Sequence, residues 1–185
     1  MRKLIVLWIA MIMLVSGCSN TKIDDKENMK NYENFIDTVM TNQGIESKII
    51  PFDYKLNVYK QKDNSYQYEL LVSNPRSAMY NVQAIAVNPD VDSNTNVHPC
   101  LGLLGEDAQL DFHMVPFQSN AEMGFYKGFS LEGVSDSEQF KLYVMVTWKD
   151  SALVNDHRVF FNVSFVQEAD DNENGAKETA ETNNE

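Results

Sequence analysis

A histidine and a cysteine two residues apart, His98 and Cys100, are the first candidates for chemistry in this 185-residue sequence. On an extended backbone, two residues at that spacing project to the same side, and imidazole and thiolate are ligands for zinc or copper. His113 or His157 would have to complete such a site, because no cysteine follows Cys100. The alternative is that Cys100 is a buried thiol that acts as a small apolar group. We favour this alternative and predict no metal.

The acidic segment just before His98 is similar to the start of a calcium-binding loop. Acidic and amide side chains alternate there at Asp90, Asp92, Asn94 and Asn96. The sixth position of such a loop requires glycine and the twelfth a bidentate glutamate, but these positions hold Thr95 and Leu101. We therefore interpret residues 89–107 as a solvated connection. A solute-binding or metal-binding role for this loop is an alternative hypothesis.

Motifs typical of enzymes are not found in the sequence. Ser130 lies in GFSLEG, which lacks the Gly-x-Ser-x-Gly spacing of a nucleophile elbow. Neither a His-Glu-x-x-His zinc motif nor a glycine-rich phosphate loop is present. Carboxylates are abundant, but a catalytic pair is defined by its geometry. We predict that the protein is not an enzyme and uses no cofactor, and we keep an envelope hydrolase as an alternative.

The first 18 residues have the pattern of an export signal. Arg2 and Lys3 precede an apolar run from Leu4 to Val15. As a helix this run would span about 18 Å, well short of the ~30 Å hydrocarbon core of a membrane. A charged start, a short apolar middle and small residues at the exit are typical of a secretory signal peptide. The exit, VSGC with Cys18 in last place, resembles the lipobox of bacterial lipoproteins.

This resemblance implies that Cys18 carries a diacylglycerol and that residues 1–17 are removed as a signal peptide. Two or more acyl chains hold a protein stably on a bilayer, whereas one chain is marginal. The implied location is extracytoplasmic, on the cell membrane, and the lysine- and asparagine-rich composition fits a Gram-positive surface. An ordinary secretory signal with an incidental cysteine is the alternative.

Processing at Cys18 would leave a strongly acidic chain. Without residues 1–17, 13 basic residues face 27 acidic ones, which gives a net charge of −14. Nucleic acids and anionic lipids are bound by clusters of basic residues, so we expect no nucleic-acid partner and membrane contact only through the lipid. With Cys18 acylated, Cys100 would have no cysteine to pair with. The domain would then depend on its apolar core.

Between residues 26 and 43, apolar side chains recur at steps of three and four, which predicts an amphipathic helix. The stripe consists of Met29, Tyr32, Phe35, Ile36, Val39 and Met40. Asp24 and Glu27 have the spacing of a capping box, and Gly44 suits a left-handed exit. An extended stalk is the alternative. We assign residues 18–51 to a lipidated tether and this helix.

From residue 52 onward the apolar period changes to two, the period of half-buried strands. The clearest segments are YQYELLV (66–72), FKLYVMVTW (140–148) and RVFFNVSF (158–165). Weaker alternation begins at Tyr54, Tyr80, Ala108 and Gly124. About seven short strands within residues 52–167 predict an all-β fold, an immunoglobulin-like or fibronectin-like antiparallel β-sandwich. An up-and-down barrel is the alternative closure.

The last segment, residues 168–185, is an acidic tail. It contains seven carboxylates, one lysine and no large apolar side chain. Such a segment buries too little surface to offset the entropy lost on ordering. We predict that it is disordered.

The alternating pattern also places apolar side chains on a strand face that should be solvated. These side chains are Ile85, Tyr143, Met145 and Phe160. In an immunoglobulin-type order the third, sixth and seventh strands are neighbours, so the four would form one patch. Monomers rarely leave such a patch bare. Either the N-terminal helix covers it, or it is an interaction face for a partner.

Together these features predict a lipid-anchored extracytoplasmic binding or accessory protein. Its partner would be a protein or a cell-envelope component, bound through a face of the sandwich or through its loops. This function is a hypothesis, because a sandwich fold by itself does not establish one.

Overall fold

The computed structural model describes residues 25–92, 96–105, 108 and 111–167. The predicted signal peptide, Cys18 and the predicted acidic tail lie outside these residues. These residues form one α-helix and seven strands, and the strands form two antiparallel sheets. The predicted β-sandwich with an N-terminal helix is therefore confirmed.

The elements follow the order of the chain. Helix α1 comprises Asp25–Thr41. The strands are β1 (Asp53–Lys60), β2 (Tyr66–Ser73), β3 (Tyr80–Val87), β4 (Cys100–Leu101), β5 (Gly128–Ser135), β6 (Gln139–Lys149) and β7 (Asp156–Val166). One sheet has the order β1-β2-β5 and the other the order β4-β3-β6-β7. The third, sixth and seventh strands are thus neighbours, as predicted.

The main core lies between the two sheets and is built by the alternating strands. In β2, Tyr66, Tyr68, Leu70 and Val72 are buried. They belong to one apolar cluster with the inward residues of β6, among them Leu142, Val144 and Val146. Burying one side chain of this size contributes roughly 1.5–3 kcal/mol. Cys100 is half-buried and belongs to no disulfide among the described residues, so the stability of this domain depends on its packing.

One predicted strand is wrong. Of the described residues between 108 and 115, His113 and Met114 make only isolated bridges, to Phe125 and Met79. Phe112 and Met114 are nevertheless buried in the core. Among the described residues of this segment, the alternation therefore reflects burial of Phe112 and Met114 on the core, without a continuous strand ladder.

The neighbouring strands differ from the prediction in two further ways. The fourth strand is the short β4, in which Cys100 pairs with Ile85. The strand predicted from Gly124 begins only at Gly128. The reason is that Gly124, with φ 74°, ends a short 3-10 helix at Ala121–Met123.

Helix α1 packs on the outer face of β3 and β6. Its side chains Tyr32 and Val39 are buried against the sheet, whereas Met29 and Met40, at the edges of the predicted stripe, are exposed. Gly44 has the expected left-handed conformation, with φ 81°. Asp24 of the predicted capping box lies outside the described residues. No helix in the described part of the chain is long and apolar enough to cross a membrane.

Candidate functional site

The four apolar side chains predicted to form a patch do lie together, and helix α1 covers them. Ile85 and Met145 are buried, and Tyr143 and Phe160 are half-buried. They form a second apolar cluster with residues of α1 and with Leu103. The chain's own helix therefore covers this candidate interaction face. Of the two coverings considered, the intramolecular one describes the structure.

The segment after the helix is tied to the edge of the same sheet. Ser47 donates its backbone N–H to the carbonyl of Phe160 at 2.8 Å, and its hydroxyl accepts the N–H of Phe160 at 2.9 Å. Asn162 donates to the carboxylate of Glu46 at 3.0 Å. Because β7 is an edge strand, these bonds satisfy backbone groups that another chain would otherwise pair with.

The middle of the helix is tied to the connection after β3. The backbone N–H of His98 donates to the Tyr32 hydroxyl at 2.7 Å. His98 is only 2% exposed. Burial lowers the pKa of His98 and raises the pKa of the Tyr32 phenol. Cys100 packs half-buried beside the same apolar cluster, so His98 and Cys100 both lie where the helix meets the sheet.

The other predicted metal ligands do not converge on His98. His113 packs against Tyr80 at the start of β3, with ring centroids 5.0 Å apart, whereas His98 lies beside the end of β3. His157 stacks on Trp148. Asp90 and Asp92 are exposed, and the Asp90 N–H closes a local turn on the Asn88 side chain. The described residues contain no group of three or more His, Cys, Asp or Glu placed to hold a metal.

Burial of His98 leads us to expect a pH-dependent stability. Its pKa in the folded protein is below the usual 6.5, so as the pH falls the unfolded chain takes up the proton first and is favoured. The stability contribution is complete above about pH 6.5 and declines below it, by at most about 1.4 kcal/mol per pH unit.

The measurement is the melting temperature as a function of pH. Between about pH 6.5 and pH 5 it should fall more steeply for the wild type than for His98→Gln. His157→Gln changes an exposed histidine and should keep the wild-type slope. Equal slopes for all three proteins would contradict this account.

At one end of the sandwich, two neighbouring segments carry exposed apolar side chains. We define the loop end as residues 49–51, 77–78 and 150–155. Ile49 is 81% exposed, Val154 73% and Leu153 52%. Between these segments lies a cavity of about 480 Å³, lined among others by Ile49, Pro51, Ala78, Trp148, His157 and Arg158.

Hydrogen bonds hold the β6–β7 loop of the loop end in one conformation. The Asp150 carboxylate accepts the backbone N–H groups of Ala152 and Val154, each at 3.1 Å, and the side-chain amide of Asn155 at 2.6 Å. The Asn155 amide and then the backbone donors lower the pKa of Asp150. Leu153 adopts a left-handed conformation, with φ 58°. The loop is thus preorganised with its apolar side chains turned to solvent.

Arg76 anchors the other segment of the loop end. Its guanidinium donates to the carbonyls of Phe52 at 3.1 Å and Ile50 at 3.3 Å and pairs with Asp53. Its backbone N–H donates to Pro51 at 2.7 Å. Hydrogen bonds from Asn74 and Arg76 lower the pKa of Asp53. The chain around Ile49 is therefore positioned by the adjacent β2–β3 connection.

No family model matches the sequence, no curated protein is significantly similar to it, and no solved structure matches it significantly.

Sequence reasoning missed the loop end. Its signal is the turn SALVND, residues 151–156, in which Leu153 and Val154 stand where a tight turn usually has polar residues. Ile49 carries no comparable signal, because nothing in the sequence shows that it lies beside this turn.

Proposed function

We propose that the protein is a lipid-anchored extracytoplasmic accessory protein that binds a protein partner through its loop end. The observation that carries the proposal is the set of exposed apolar side chains Ile49, Leu153 and Val154. They lie on segments that hydrogen bonds hold in place. Sandwich domains expose their binding loops at such ends, and preorganised loops lose less entropy on binding.

The composition of the loop end favours a protein surface as its partner. Trp148, His157 and Arg158 line the cavity beside the exposed aliphatic side chains. Aromatic residues and arginine around a small apolar centre are typical of the energetically important part of protein interfaces. Phe117 is also fully exposed, in the connection that leads to β5, which starts at this same end of the sandwich.

The course of the chain supports an orientation with the loop end away from the anchor. Tyr32 of α1 lies beside His98, Ser47 beside the middle of β7, and Ile49 at the loop end. The chain thus runs from the opposite end of the sandwich toward the loop end. Residues 19–24, fully extended, would reach about 20 Å from a lipid on Cys18. A membrane on that side leaves the loop end free for a partner.

Position-specific crosslinking in the cells that make the protein tests the proposal. A photoreactive amino acid replaces Ala152, an exposed residue of the β6–β7 loop, in the full-length chain. We expect one discrete crosslinked protein. The pair Ile49→Ser and Val154→Ser should remove that product with little change in melting temperature, because exposed substitutions alter stability by about 0.5 kcal/mol or less.

The matched control is the pair Val134→Ser and Val166→Ser. Val134 is 56% exposed and Val166 64%, and both lie toward the opposite end of the sandwich. Loss of the crosslink in both pairs, or in neither, would overturn the loop end as the site. Separately, Cys18→Ala should abolish palmitate labelling and release the protein from the membrane fraction. A variant that is still membrane-held and unprocessed would refute the anchor.

A further inference from the structure

The outer face of the four-stranded sheet changes from apolar to polar halfway along its strands. Toward the end of the sheet near His98, the outward side chains are apolar: Val87 and Ile85 in β3, Tyr143 and Met145 in β6, and Phe160 in β7. Toward the loop end they are polar: Gln83 and Asn81 in β3, Thr147 and Lys149 in β6, and Arg158 and Asp156 in β7. Helix α1 packs on the apolar half only. We call Asn81, Gln83, Thr147, Lys149 and Asp156 of the remaining half the polar half-face; Arg158 lines the cavity at the loop end.

A groove of about 280 Å³ lies on the polar half-face, and Gly102 and Asp111 also line it. Gln83 donates its side-chain amide to the carbonyl of Gly102 at 2.6 Å. This bond fixes the amide and also holds the wall of the groove against β3. Gly102 permits this close approach, since a Cβ there would lie 3.2 Å from the Gln83 side chain and the Val82 carbonyl.

A β-bulge brings Asn81 into the lining of this groove. The register of β3 on β6 shifts between Tyr80 and Gln83, and Asn81 has φ 50°. Its backbone N–H donates to Nδ1 of His113 at 3.1 Å, and the His113 ring packs against Tyr80 and Phe125. Bulges redirect side chains and are frequent beside binding sites. A left-handed conformation is unfavourable for a residue other than glycine unless its surroundings stabilise it. The hydrogen bond to His113 stabilises it at Asn81.

The chemistry of the groove points to an uncharged polar ligand. Lys149 is paired with Asp156 at 2.8 Å, and Asp111 is a further carboxylate in the lining, so the groove offers no excess positive charge to a phosphate. The side-chain amides and the Thr147 hydroxyl supply donors and acceptors side by side.

We propose that this groove binds a neutral saccharide, such as the glycan of a cell envelope. Each sugar hydroxyl both donates and accepts, which matches amide and hydroxyl side chains at neighbouring positions. A volume of about 280 Å³ lies just below the ~300–1,000 Å³ range of small-molecule pockets and suits a mono- or disaccharide unit. This site is separate from the proposed protein-binding loop end, and neither depends on the other.

The test uses the mature lipidated protein in detergent micelles and a defined probe. The probe is a β-1,4-linked tetrasaccharide of N-acetylglucosamine, with an α-linked glucose tetrasaccharide as a second, and binding is followed by saturation-transfer NMR. We expect a dissociation constant of about 1 mM or tighter for one of them. Thr147→Val removes the hydroxyl at nearly constant volume, and Asn81→Gly removes the amide but accepts the positive φ. Each should weaken binding about fivefold to tenfold.

Controls come from the outer face of the other sheet. Ser130→Ala and Gln67→Ala remove a hydroxyl and an amide at exposed positions of β5 and β2 and should leave binding unchanged. Melting curves show whether each variant is folded. Absence of binding for both probes, or binding that the groove variants do not weaken, would overturn the proposal. Binding lost instead in the pair Ile49→Ser and Val154→Ser would assign the saccharide to the loop end, and the groove would be the wrong site.

Discussion

Replacing Ile85 with alanine is expected to lower the free energy of unfolding by about 3 kcal/mol. Ile85 has no exposed surface and lies in the cluster between the sheet and helix α1. Truncation leaves a cavity that the helix cannot fill without losing its other contacts. Since small domains are stable by roughly 5–15 kcal/mol, the effect on urea denaturation should be large.

The control for this prediction is Val134→Ala, at a residue that is 56% exposed. It should change the unfolding free energy by about 0.5 kcal/mol or less. If α1 were a detached stalk, Ile85 would face solvent and its truncation would resemble the control. A double-mutant cycle of Ile85→Ala with Val39→Ala should also show a coupling of about 0.5 kcal/mol or more, as expected for side chains in one cluster. If the two changes in unfolding free energy were additive and the loss from Ile85→Ala were small, the helix would not be docked on the sheet.

Replacing Gly128 with alanine is expected to destabilise the protein by about 3 kcal/mol. Gly128 pairs with Ser73 in the β2–β5 ladder, and a Cβ at this position would overlap the carbonyl oxygen of Val72. The obstacle is backbone, which can move only by disturbing the ladder that joins two strands of the three-stranded sheet. The midpoint of chemical denaturation measures the loss.

Gly133→Ala in the same strand is the informative comparison. Its Cβ would meet the ring of Tyr68, the cross-strand partner of Gly133, and a side chain can tilt where a carbonyl cannot. We expect a loss of about 1–2 kcal/mol for this variant. Ser130→Ala, at an exposed position between the two glycines, should be close to neutral. A Gly128→Ala protein as stable as the Ser130→Ala protein would show that the strands do not approach as closely as described.

Much of the fold follows from local patterns that the sequence carries by itself. Alternation with period two identified β2, β6 and β7, because a strand turns successive side chains to opposite faces. Steps of three and four identified α1 for the equivalent reason in a helix. Even the apolar patch around Met145 could be predicted, since strand neighbours follow from the expected sandwich order.

Other features depended on contacts between residues far apart in the chain. The alternation between Ala108 and Val115 looks like a strand, but a strand also needs a continuous ladder, and the described residues Phe112 and Met114 make only separate backbone bonds to Val82 and Met79. Only the structure shows that helix α1 covers Ile85. An apolar stripe in the sequence predicts burial but does not specify the element against which it is buried.

The candidate sites belong to the tertiary structure almost entirely. Ile49 and Ser151 are about a hundred residues apart in sequence, yet they line one cavity, beside loops that Arg76 and Asp150 order. The polar half-face likewise combines three strands with a bulge at Asn81. Periodicity is a local property and determined the elements of this protein, whereas the places where it can bind arise from side chains that only long-range packing brings together.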